Sequence, residues 1–136
     1  MDNKVNILGV HVDMVNIPEA ADRIIGFLGE KGLHKVYTPN SEIIMAAYKD
    51  EAFRNLLNNA ELLTADGIGV VYASKILGKP INERAAGYDI ACRVLERIAG
   101  TEHKLFLFGG KPGVAEKAEA ELLKTYPGLK IVGCRN

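Results

Sequence analysis

In the stretch "LLTADGIGV", residues 62–70, an aspartate stands between a short apolar run and two glycines, the makings of an acid/base site at the end of a strand. A carboxylate, with an ordinary pKa of about 3.9, is ionised at neutral pH and yet far too weak to deprotonate a hydroxyl in advance. Asp66 is therefore suited to take a proton only as the hydroxyl attacks, which is the task of a general base. The same residue also fits a helix N-cap, accepting from the first N–H groups of the helix that Gly67 opens, and the two roles are compatible.

Three other stretches offer partners for such chemistry: Thr38 and Asn40 in "TPN", Arg84 in "NERAAG", and Gly109 and Gly110 in "FGG". The planar guanidinium of Arg84 suits a diphosphate, because its donor fork binds oxyanions in pairs. On a surface it would instead pair weakly with Glu83. Thr38 and Asn40 read equally as a strand-end turn in which Asn40 caps the next helix. Gly67, Gly109 and Gly110 either let a phosphate approach the backbone near a helix N-terminus or serve as plain turn residues.

The common nucleotide fingerprints are incomplete. "GIGVVY" begins like GxGxxG but carries Tyr72 where the last Gly or Ala belongs, and "GGKPGV" is not the loop GxxxxGK[ST]. A small NAD-binding module is thereby the weaker reading. No Asp-x-Asp occurs, so the paired-carboxylate metal clamp is missing and no metal is expected. A bound diphosphate must then be neutralised by arginine, helix ends and backbone N–H groups. Cys92 and Cys134 form no CxxC or Cys/His spacing and read as reduced buried thiols, while His11, His34 and His103 are scattered.

These residues need elements to position them. "VNILGVHVDMV" reads as one or two short strands, and Asn16 then caps a helix with Pro18 in its first turn and Glu19 at the reciprocal position, ending near Gly32. The strand "HKVYT" is stopped by Pro39 and Asn40 and followed by the helices "SEIIMAAYKD" and "EAFRNLLNNA". "LLTA" is the next strand, "GIGVVYASKIL" the next helix, and "GKPINERAAG" a loop. The helix "YDIACRVLERIAG", the strand "KLFLF", a helix started by Pro112 and the strand "LKIVGC" complete the order. Strands and helices alternate and most strands are continuous apolar runs, which predicts a Rossmann-like α/β fold, a mainly parallel sheet with helices on both faces. Ligands bind such sheets beyond the carboxyl ends of the strands, where "TPN", "ADG" and "FGG" lie.

The 136 residues suit one domain with a core of its own. Lys plus Arg and Asp plus Glu number 17 each, so no net positive field attracts nucleic acid. The opening "MDNKVNILGV" has neither a basic leader nor a long apolar core, and no run approaches the roughly 20 apolar residues of a membrane span, which predicts a cytoplasmic protein.

Taken in order, "YTPNSEII", "LLTADGIGVVYASKILGKPINERAAGYDI", "LFLFGG" and "YPGLKIVG" resemble the WecG/TagA/CpsF family of bacterial glycosyltransferases along nearly the whole chain. The resemblance implies an inverting, metal-independent enzyme that moves N-acetylmannosamine from UDP to the C4 hydroxyl of undecaprenyl-diphosphate-linked N-acetylglucosamine, in wall teichoic acid or related polysaccharide synthesis. By resemblance, Asp66 is the general base and Thr38 and Asn40 contact the donor sugar or acceptor. Arg84 shapes their pocket, Gly67 lies at the substrate side, and Gly109 and Gly110 belong to the nucleotide side. The implied partners are a UDP-sugar and a lipid-linked acceptor at the inner face of the plasma membrane. The family normally continues for roughly another hundred residues, a further half-domain. The resemblance thus implies an N-terminal part lacking the rest of the sheet, a glycine- and glutamine-containing substrate segment and a basic membrane-reaching appendage. An interior strand "LKIVGC" left at an edge would favour homo-oligomers. A non-catalytic nucleotide-sugar-binding module, or an inactive fragment, is the alternative.

Overall fold

Lys4–Ile7 (β1) and Val10–Asp13 (β2) pair antiparallel across the two-residue turn Leu8-Gly9, both at positive φ (52° and 89°), in the computed structural model, which describes residues 3–136. Such a turn matches the twist of the strands it joins, and Asn6 closes it by accepting from the Gly9 N–H at 2.8 Å. Met1 and Asp2, which begin the stretch searched for a leader, lie outside the described residues.

Asn16 caps α1 (Ile17–Leu28) in a complete capping box with Glu19, as the sequence predicts, but the helix stops four residues before Gly32. Beyond it His34 stacks on Phe27, ring centroids 4.7 Å apart, and meets Glu30 at 2.8 Å. That histidine is thus engaged in packing a helix end. The next strand, β3, is only Val36–Tyr37. Helices α2 (Ser41–Lys49) and α3 (Glu51–Asn58) follow, capped by Asn40 and Asp50, and lead to β4 (Leu62–Leu63), which pairs parallel with β3. Then come α4 (Ile68–Ile76) and α5 (Gly87–Ile98).

The chain divides into two compact units, the first ending at Arg93 and the second running Val94–Asn136, so the division falls inside α5. The core of the first unit is built from Val5, Ile7, Val10 and Val12 of the hairpin with Ile44, Leu57, Leu63 and Val70. Among the described residues of this unit one charged side chain is buried. The Asp13 side chain, 4% exposed, takes the Arg23 guanidinium at 2.7 Å and has Lys4 Nζ at 3.7 Å. Its second oxygen accepts the Leu63 N–H at 2.9 Å, on the edge of β4 turned away from β3, while Arg23 also donates to the Glu61 carbonyl at 2.9 Å. The carboxylate thereby stands where a further strand's carbonyl would otherwise be needed.

In the second unit β5 (Lys104–Phe108) and β6 (Lys130–Arg135) pair parallel, joined by α6 (Val114–Thr125). The helix starts at Val114 behind Gly113, two residues later than Pro112 suggests. After Lys104 the strand is apolar, yet its exposure alternates: Leu105 and Leu107 are half-buried while Phe106 and Phe108 are 54% and 80% exposed. The Cys134 thiol donates to Glu119 of α6 at 3.4 Å, and desolvation together with that carboxylate pushes its pKa up, which keeps it protonated and inert. Cys92 and Cys134 are free, but half-buried rather than buried.

Among the described residues the architecture is therefore mixed α/β, with one antiparallel hairpin and two parallel strand pairs, β3 with β4 and β5 with β6. Among the described residues no helix is long and apolar enough to cross a membrane.

Two outcomes are expected. Asp13→Ala, which strands Arg23 and the Leu63 N–H, should cost about 3 kcal/mol in urea unfolding. Glu61 is held below the usual carboxylate range, chiefly because its side chain accepts the Lys35 N–H. A carboxylate whose pKa is lowered by folding stabilises above its unfolded pKa and loses that contribution as pH falls through the folded one. The stability advantage of the native chain over Glu61→Gln should accordingly be present at neutral pH and vanish in acid, measured by urea midpoints across that range.

Candidate active site

The parallel ladder of β3 and β4 aligns Val36 with Leu62 and Tyr37 with Leu63, and it continues past both strands. Thr64 N–H donates to the Tyr37 carbonyl at 3.0 Å and Asp66 N–H to the Pro39 carbonyl at 3.2 Å. Backbone pairing alone thus brings "TPN" and "ADG" side by side. A third segment closes the group: Ala85 N–H donates to the Ala65 carbonyl at 2.9 Å, and the buried Thr64 hydroxyl donates to the Ala85 carbonyl at 3.1 Å.

Asp66 is half-buried at the meeting point, and its Oδ2 accepts the Gly87 N–H at 3.2 Å. This corrects one expectation. Gly67 is the N-cap of α4 and no side chain caps that helix, so Asp66 serves the first residue of α5 instead. A negative charge at that helix start is favoured by the dipole. Gly67 sits at φ 127° and ψ 148°, a conformation open almost only to glycine, and a Cβ there would lie 3.8 Å from that of Asn40. Gly87 is required by contact: its Cβ would meet Thr38 at 2.9 Å from Oγ1 and 3.1 Å from Cγ2.

Thr38 is half-buried against this glycine. Asn40 caps α2, its Oδ1 accepting the Ile43 N–H at 2.9 Å, so the donor half of its amide is what a ligand can use. Arg84 is exposed, and its partner is Asp89 at 4.0 Å rather than Glu83. Glu83 instead accepts the Ile17 N–H at 3.2 Å, at the start of α1. Thr38, Asn40, Asp66 and Gly67 are therefore gathered, and Arg84 lies on the segment that closes the group. Gly109 (φ 107°) and Gly110 (φ 88°) end β5 in the second unit, where Gly109 N–H donates to the Arg135 carbonyl at 2.7 Å.

Sequence reading passed over Thr64, Ala85 and Gly87. The glycine of "AAGYD" at a helix start was a signal for the last; nothing in the sequence marks the Thr64 hydroxyl as a bridge. Chemically, the group offers a fixed carboxylate, a hydroxyl, an amide and a guanidinium on main-chain-braced segments. That set can orient a hydroxylated ligand and accept its proton.

An α/β protein with a carboxylate site beyond the carboxyl ends of parallel strands is the class these features define. The family model for glycosyl transferases of the WecG/TagA/CpsF family matches residues 5–136, and the chain belongs to that family. A Staphylococcus aureus protein named N-acetylglucosaminyldiphosphoundecaprenol N-acetyl-beta-D-mannosaminyltransferase is 34% identical over 131 residues, 94% of this chain and 51% of its own length. A protein of the same name from Bacillus spizizenii is 32% identical over 98 residues, 72% of this chain and 38% of its own. The chain thus spans about half the length, or less, of these relatives.

Gly87→Ala should lower stability by about 1 to 3 kcal/mol, because the added methyl overpacks Thr38. Combining it with Thr38→Ala, which removes both atoms nearest the new methyl, should recover much of that loss. A double-mutant cycle by thermal unfolding measures the coupling.

Proposed function

We propose that this chain carries the general-base part of an inverting, metal-independent glycosyltransferase with a Rossmann-like α/β fold. The reaction moves N-acetylmannosamine from UDP to the C4 hydroxyl of undecaprenyl-diphosphate-linked N-acetylglucosamine, in wall teichoic acid or related cell-surface polysaccharide synthesis. The observation that carries this reading is the position of Asp66, half-buried beside Thr38, Asn40 and Gly67 and fixed by the Gly87 N–H. The names of the matched relatives supply the sugars.

In the proposed reaction the acceptor hydroxyl attacks the anomeric carbon from the face opposite UDP. The new C–O bond forms as the bond to UDP breaks, the leaving diphosphate keeps the electron pair, and Asp66 takes the hydroxyl proton. One Asp66 oxygen holds the Gly87 N–H, which leaves the other to accept. Thr38 and the Asn40 amide orient the sugars, Arg84 reaches the charged groups, and Gly67 keeps the approach open. Gly109 and Gly110 serve the nucleotide. Without an Asp-x-Asp, charge developing on UDP is met by arginine and backbone N–H groups. The enzyme works as one α/β domain at the inner face of the plasma membrane, as a homo-oligomer where its apolar edge is covered.

Asp66→Asn should lower transfer by roughly 10² to 10⁴ and leave UDP binding nearly intact, measured with a lipid-diphosphate acceptor and by calorimetry in EDTA. Unchanged turnover removes Asp66 from the role. Saturable UDP binding with no transfer in the native chain favours a binding module, and NADH binding in place of UDP defeats the reading.

A further inference from the structure

Helix α4 begins two residues after Asp66 and turns an apolar stripe outward. Ile68 is 60% exposed, Tyr72 58% and Ile76 86%, spaced i, i+4, i+8 along one side, and Leu77 just beyond is 53% exposed. Val70, Val71 and Ser74 are buried and hold the helix to its unit. This inverts the usual surface helix, which faces solvent with charged and polar residues. Residues 67–82 contain no Asp or Glu and two lysines, Lys75 and Lys79, both exposed. Lys75 Nζ lies 5.8 Å from the centre of the Tyr72 ring. An apolar cleft of about 190 Å³ adjoins the helix, lined by Leu8, Ile44 and Met45 together with Gly69 and Ala73 of α4 itself.

We propose that this face of α4 docks on an anionic phospholipid bilayer, with Ile68, Tyr72 and Ile76 at the acyl boundary and Lys75 and Lys79 on the headgroup phosphates. The proposal rests on the reading that the acceptor of Asp66 is a membrane-embedded lipid diphosphate. A short helix with an apolar face, an aromatic ring and flanking lysines has the makeup of one lying in the membrane interface. Lysine stems cover apolar surface while their charges reach the headgroups. The stripe is about 12 Å long at 1.5 Å per residue, so docking it would hold Asp66 at headgroup level, where a lipid diphosphate sits. Charge argues against a second copy as occupant, since a self-complementary contact here would bring Lys75 and Lys79 against their own counterparts.

The chain has no tryptophan, so Tyr72→Trp places a single indole on the stripe. Its emission should shift to the blue with vesicles of phosphatidylcholine mixed with phosphatidylglycerol. Binding should be about tenfold or more weaker with phosphatidylcholine alone. Ile76→Ser and the pair Lys75→Glu/Lys79→Glu should each lower co-sedimentation with the mixed vesicles about tenfold, with circular dichroism unchanged. Leu33→Ser, at a residue 81% exposed elsewhere, should leave binding as it was. An unshifted indole, an equal loss in Leu33→Ser, or a shift that grows with protein concentration and needs no lipid overturns the proposal. UDP calorimetry separates it from the functional reading: vesicle binding without UDP binding defeats that reading and supports the surface, whereas UDP binding and transfer without vesicle binding defeat the surface alone.

Discussion

Asp13 carries a negative charge into the first unit, where its side chain is 4% exposed, and three elements answer it. Lys4 comes from β1, Arg23 from α1 and the Leu63 N–H from β4, while Asp13 itself ends β2. Desolvating a carboxylate costs several kcal/mol unless charge and hydrogen bonds repay it, so the arrangement tolerates little slack. Its effect is to fix β4 on the side that β3 does not hold. Asp66 lies three residues beyond Leu63, so this anchor holds the strand from which it projects.

Much of the site was legible because strand ends announce themselves. Pro39 after "VYT" and Gly67 after "LLTAD" punctuate two apolar runs, and parallel pairing then sets Thr38, Asn40 and Asp66 together. The partner of the Asp66 carboxylate was not legible, because a cap is read from the nearest following helix. Tertiary structure offers the carboxylate an N–H twenty-one residues on instead. Arg84 is a similar case: its sequence neighbour Glu83 is drawn to α1, which leaves the guanidinium to Asp89.

The elements were legible in order and kind, less so in length. Asn16 and Glu19 specify a helix start through complementary donors and acceptors, and that start is where they put it. "KLFLF" shows why an apolar run is ambiguous. The run fits a strand buried on both faces, yet only Leu105 and Leu107 are turned inward, because hydrophobicity reports a tendency to be covered and not the presence of a cover.

The three segments of the site hold one another through main-chain groups: Asp66 to Pro39, Ala85 to Ala65, Thr64 to Tyr37. Peptide N–H and carbonyl groups are common to nearly all residues, so this frame places few demands on the identities of the side chains it displays. Frame and display are then separable under mutation. Exchanging Thr38, Asn40 or Arg84 would change what this frame displays, whereas Gly67 and Gly87 are held to glycine by backbone conformation and by contact with Thr38.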